Sequence, residues 1–259
     1  MKKLVLLVVM FLPAMLFAQN NFTGTWVFST QSAEFSGKPS VYLLQDGVYR
    51  CDTCVPKLKV AADGKDHERT GSPYADMVSV SVPDDHSLEI VNKKKGKVVG
   101  TDKDVVSADG KALVSEWSFV TDNGQTGKGK TTSTRTADGP KGSHAVSGSW
   151  QTKSVDDASA SVLTATYKAT DDGLDMSDLT GDSYDAKFDG KDSPYKGDPG
   201  VTSVSLKKID ANTIEETDKR NGKVISVTRM TVSADGKTMK VETQDKLRGT
   251  SAKFEGKKQ

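Results

Sequence analysis

Apolar and polar residues alternate in short runs along most of the chain, and few stretches show helical spacing. In MVSVSV (77–82), Val78, Val80 and Val82 fall on one face of an extended strand and Ser79 and Ser81 on the other. Comparable β-prone runs are GTWVFS (24–29), VYLLQ (41–45), VYRC (48–51), ALVSEWSFV (112–120), VLTATYKAT (162–170), TIEETDK (213–219) and KVISVTRMTV (223–232). Turn dipeptides separate them, as in a hairpin meander. Asp109-Gly110, Asp235-Gly236, Lys95-Gly96 and Asn221-Gly222 read as type I′ hairpin turns, where positive φ is needed.

The pattern occurs twice. VSADGK stands at 106–111 and again at 232–237, an offset of 126. Comparing 57–111 with 183–237 without gaps gives 20 identities in 55 positions, against roughly one in sixteen for unrelated residues of ordinary composition. TGTW at 23–26 matches SGSW at 147–150 at offset 124. The chain is therefore read as an internal duplication, copy one at 19–140 and copy two at 141–259, with a Gly/Ser/Pro-rich linker near 137–148. The expected fold is all-β: two tandem antiparallel meander β-barrels, since closure removes exposed edges. One joint large barrel or sandwich is the alternative.

Gly24-Thr25-Trp26 and Gly148-Ser149-Trp150 each open a copy ahead of the meander. In this the chain resembles the lipocalin/calycin superfamily. The resemblance implies a calycin/lipocalin-like barrel, a structural role for Trp26 and Trp150, and packing of each Trp against a basic residue of the last strand. Arg135 in copy one and Lys253 in copy two are the candidates. It also implies a carrier of small apolar molecules.

Residues 1–18 begin with Lys2 and Lys3, continue through an apolar stretch and end at Ala18, which reads as a secretory signal cleaved before Gln19. An exported product, periplasmic or secreted, is expected. No later segment is long and apolar enough for a membrane-spanning helix. Net charge is +1 with mixed signs, so composition gives no support for nucleic-acid binding.

Cys51-Asp-Thr-Cys54 lies between strand-like flanks and lacks the helix N-terminus that activates redox dithiols. In an oxidising compartment a local disulfide is expected, with a thiol or metal site as the alternative. The 126 offset puts Ser177 and Thr180 opposite the two cysteines. DDGLDMSDLTGD (171–182) departs from the EF-hand spacing and reads as a solvated loop. No nucleophile elbow, zincin, P-loop or dinucleotide fingerprint is present, so no enzyme activity, metal or cofactor is implied. Tyr42, Tyr49, Trp117, Phe119, Tyr167 and Phe188 are the candidates for contact with a small apolar or amphipathic ligand, core packing being their alternative role. A structural or protein-interaction module of the cell envelope is the alternative function.

Overall fold

The computed structural model describes residues 21–259. The leader read at 1–18 lies outside the described residues. The chain forms two barrel-like antiparallel sheets of ten path strands each. After β1 (Gly24–Phe28) and β2 (Glu34–Gly37) come the strands of the first barrel. They are β3 (Ser40–Gln45), β4 (Val48–Cys51), β5 (Leu58–Ala61), β6 (His67–Glu68), β7 (Met77–Asp84), β8 (Ser87–Lys94), β9 (Lys97–Val106), β10 (Ala112–Val120), β11 (Thr126–Asp138) and β12 (Gly148–Ala158). Their order is β5-β4-β3-β12-β11-β10-β9-β8-β7-β6.

A single helical turn, α1 (Ala160–Leu163), leads into the second barrel. It contains β13 (Thr164–Ala169), β14 (Gly173–Asp178), β15 (Ser183–Lys187), β16 (Ser193–Pro194), β17 (Ser203–Lys208), β18 (Thr213–Arg220), β19 (Lys223–Val232), β20 (Thr238–Asp245) and β21 (Thr250–Lys258). Its order is β15-β14-β13-β1-β21-β20-β19-β18-β17-β16, with β2 attached to β21. Reciprocal 2.9 Å hydrogen bonds between Ser183 and Lys196 join β15 to the β16 end.

Sheet membership crosses the boundary between the sequence copies. The opening strand of copy two, β12, stays in the first barrel, because the short segment 139–147 folds it back onto β11. That leaves copy two without an opening strand, and β1 from the start of the chain fills the place between β13 and β21. The 137–148 stretch is therefore no linker between barrels. Within it Val146 and Ser147 are buried, and the Ser147 hydroxyl accepts the Leu44 N–H at 2.9 Å. The chain instead passes between barrels at 38–39 and 159–163.

Each exchanged strand carries a fully buried indole. Trp26 lies opposite Lys258 in register, with Lys258 Nζ 5.0 Å from the ring centre. Trp150 lies opposite Arg135, whose guanidinium carbon is 4.1 Å from the ring centre. Both indole N–H groups donate to the carbonyl four residues back, Phe22 at 2.9 Å and Val146 at 2.8 Å. Arg135 also donates to the Gly110, Ala145 and Ser147 carbonyls. Arg135 thus covers the Trp of copy two. Lys253 is not the second partner: it points outward and pairs with Glu242 at 3.0 Å.

Core positions follow the period-two pattern. Val78 and Val80 are buried, whereas Val82, beside a register shift between Ser81 and Asp84, is exposed. The hairpin turns divide into two classes. Lys95-Gly96, Asn221-Gly222 and Asp46-Gly47 have positive φ at both residues, as type I′ requires. The VSADGK turns do not: only Gly110 and Gly236 have positive φ. There Ser107 N–H donates to Ala112 O and Gly110 N–H to Ser107 O, so the loop is the longer four-residue kind. Asp109 accepts from the Ser107 hydroxyl at 2.6 Å and the Lys111 N–H at 3.0 Å. Ser233, Asp235 and Lys237 repeat this. The hexapeptide is shared because its Ser, Asp and Gly each close part of the same turn.

Two outcomes follow from the exchange. A fragment spanning 38–160 contains every first-barrel strand and should give a cooperative melt, whereas 159–259, lacking β1 and any other Gly-x-Trp strand, should not. In the full chain, Trp26→Ala should cost ~3–5 kcal/mol, typical of a large aromatic-to-alanine change. Hydrogen exchange should accelerate over 164–258 and leave 40–138 protected; the reverse pattern would refute the strand assignment.

Candidate functional site

Each barrel has a chamber with ionisable side chains in its lining. The second barrel holds a cavity of about 380 Å³. Its wall includes Phe28, Phe35, Leu163, Met230, Val241 and Phe254, and among the described residues its only charged lining is Asp178 and Glu216. Strand β18 supplies the acid: Ile214 is in the core, so period two turns Glu216 and Asp218 inward as well. The Tyr184 hydroxyl donates to Glu216 Oε2. The Ser226 hydroxyl donates to Asp218 Oδ2 at 2.6 Å, while buried Asp218 Oδ1 has no partner. Desolvation, and then the Asp218 charge, push the Glu216 carboxyl up to about 8. Asp218 is also raised, chiefly by burial. Tyr167 lines the same cavity and is 8% exposed.

The first-barrel chamber, about 560 Å³, opens at the junction, where Asp182, Asp198 and Arg248 of the second barrel join its lining. Trp117 and Phe119 form one wall, their rings nearly parallel with centres 6.2 Å apart. They lie over Gly129 and Gly127, where a Cβ would overlap the rings. Asp102 sits opposite Trp117 in register and is raised to about 6, by burial first and then by Asp104. Arg69 opposes that rise and donates to Asn92 Oδ1. Asp104 accepts from the Ser115 hydroxyl.

The six aromatic candidates therefore separate. Trp117 and Phe119 line the first chamber and Tyr167 the second. Tyr49 is buried, with its ring centre 6.3 Å from that of Tyr42, in the packed part of the first barrel. Burial, then the Asp104 charge, raises Tyr42 to about 12. Phe188 packs against the outside of the second core cluster.

Cys51 and Cys54 form a disulfide and so offer no thiolate. The ladder aligns Cys51 with Met176, not Ser177: Cys51 lies opposite Tyr42 and Met176 opposite Tyr167. DDGLDMSDLTGD is likewise not all loop, since Gly173–Asp178 is strand β14. Asp178 then accepts the Thr180 and Asp182 N–H groups at 2.8 and 3.0 Å. Among the described residues no group of three His, Cys, Asp or Glu side chains is placed to hold a metal ion.

The interior acids Asp102, Asp104, Glu216 and Asp218 escape motif reasoning. Their signal is a carboxylate in step with buried apolar residues on one strand: Val106 for the first pair, Ile214 for the second. No protein-family model, curated protein or solved structure matches the chain.

The acids carry a pH signature. Glu216 titrates higher in the folded chain than its ordinary 4.5, so the folded state binds the extra proton between about 4.5 and 8. Stability from this group is full below 4.5 and is lost as pH rises through 8. Asp102 and Asp182, raised to about 6 and about 7, act in the same direction. The melting temperature should fall from pH 5 to pH 8.5, and Glu216→Gln should flatten the fall. An unchanged slope in that variant would remove Glu216 as its source.

Proposed function

We propose that this is an exported, non-enzymatic protein that binds a small amphipathic molecule in the second barrel. The observation that carries the reading is the 380 Å³ cavity, which falls within the usual range for small-molecule sites and combines an apolar wall with a few convergent polar groups. The paired Gly-x-Trp strands, each with its indole under a basic side chain, support the lipocalin-like carrier reading. The leader-like N-terminus and the Cys51–Cys54 bridge support export, since such bridges persist in oxidising compartments. The first chamber is the weaker site for an apolar body, because Arg69, Lys94, Asp102, Asp122, Asp198 and Arg248 charge its lining.

A neutral fluorophore such as N-phenyl-1-naphthylamine should bind with 1:1 stoichiometry. Ala165→Phe, which narrows the cavity from β13, should abolish the signal while the circular dichroism spectrum stays native. Absence of binding, or binding indifferent to that substitution in a folded variant, would refute this site. Sequencing of exported material should find Gln19 at the N-terminus.

A further inference from the structure

We infer that the second-barrel cavity selects ligands bearing a protonated amine, with Glu216 as the ion-pairing group and an apolar body along the Phe28 and Phe254 wall. This rests on the carrier reading above and names its ligand class.

The argument begins with a comparison of the barrels. At the 126 offset, Arg69 of copy one corresponds to Tyr195 (69 + 126 = 195). The backbone agrees: Arg69 N–H donates to Asp76 O, and Tyr195 N–H donates to Thr202 O. In the first barrel one interior acid, Asp102, thus has the Arg69 guanidinium acting on it. In the second barrel the interior acids stand on β18 instead of β9, and a tyrosine takes the cation's position. Among the described residues no Lys, Arg or His lines the cavity. A buried carboxylate without a cation is costly, and an ammonium ion is the group that offsets that cost.

An independent observation marks the same space. Tyr167 is buried and lines the cavity, and the charges that act on its hydroxyl are those of Glu216, Asp178 and Asp218. Its hydroxyl offers a polar contact for the ligand head from β13, in the same cavity as the acid on β18. Metal ions fit less well, since no three-ligand group exists among the described residues and the remaining wall is apolar.

The groups facing Glu216 are Asp218 on its own strand, Tyr167 on β13, Asp178 on β14, Tyr184 on β15, and Tyr195 beyond β16. All are acids or phenols. With no cation among them these groups favour the protonated form of Glu216 below about pH 8, and above it the carboxylate is available to an ammonium ion.

Isothermal titration at pH 8.5 with n-octylammonium chloride, n-octanol and sodium octanoate tests this. Octylammonium should bind at least ~10-fold more tightly than octanol, and octanoate should not bind, given the energetic weight of a desolvated charge pair. Glu216→Gln should weaken octylammonium at least ~10-fold, and Tyr167→Phe by about 3- to 10-fold, the effect of one hydrogen bond. Octanol binding as tightly as octylammonium would overturn the inference and leave the carrier reading intact. Failure of both alcohol and amine would remove both. If Glu216→Gln does not fold, the amine-to-alcohol ratio on the unmodified chain still decides.

Discussion

A buried indole beneath a basic side chain closes one end of each barrel, and everything else in the fold is arranged around where those two indoles come from. Trp26 opens the chain yet completes the barrel built from its C-terminal part; Trp150 opens copy two yet completes the barrel built from copy one. Each large aromatic buries enough apolar surface to dominate its end of the core. Its N–H is satisfied by a carbonyl four residues earlier, so no polar group is orphaned there. The cation above it has its own carbonyl partners: Asn21 for Lys258, and Gly110, Ala145 and Ser147 for Arg135. The two barrels thus share a closing device while differing in continuity, one being contiguous and the other built from both chain ends.

That difference has a mechanical consequence. The second barrel cannot complete its sheet until the first residues and the last strand meet, because β1 lies between β13 and β21. The contacts concerned are more than a hundred residues apart in sequence, and such pairings form slowly. The first barrel needs only consecutive hairpins and one return of β12 to β3. Ordering of the first barrel also brings β2 and the 38–39 crossing into place beside β21, which helps to position β1.

Much of this was legible in the sequence, for definite reasons. Strand identity followed from alternation such as Val78-Ser79-Val80, the duplication from the 126 offset, and tight turns from Asn221-Gly222 and Lys95-Gly96. The exchange was not legible. A Gly-x-Trp strand pairs equally well with the last strand of either copy, and only the short 139–147 return decides between them. The VSADGK turn class was missed because Asp-Gly serves two loop lengths, and Ser107 and Ser233 select the longer. Lys258, not Lys253, meets the indole because facing direction at the end of β21 depends on register, which the sequence does not show. The interior acids carried a readable signal, since Glu216 and Asp218 keep step with Ile214. No motif marks it.

The two copies also supply an internal control on what the fold itself requires. Position 216 of the second barrel corresponds to Ile90 of the first (90 + 126 = 216), which packs against its core. An aliphatic side chain is therefore compatible with that place on the inner wall, and would avoid the desolvation cost of a carboxylate. Conversely, Met230 of the second barrel stands where the first has Asp104 (104 + 126 = 230), so neither barrel needs an acid at a fixed interior position. Each has its inward carboxylates on a different strand, β9 in one and β18 in the other, and in the first Arg69 acts on Asp102. Closure by Trp26 and Trp150 is the constraint common to both. The acids of the second barrel are an addition to it, made where the sheet would accept a hydrocarbon, so barrel closure does not account for Glu216.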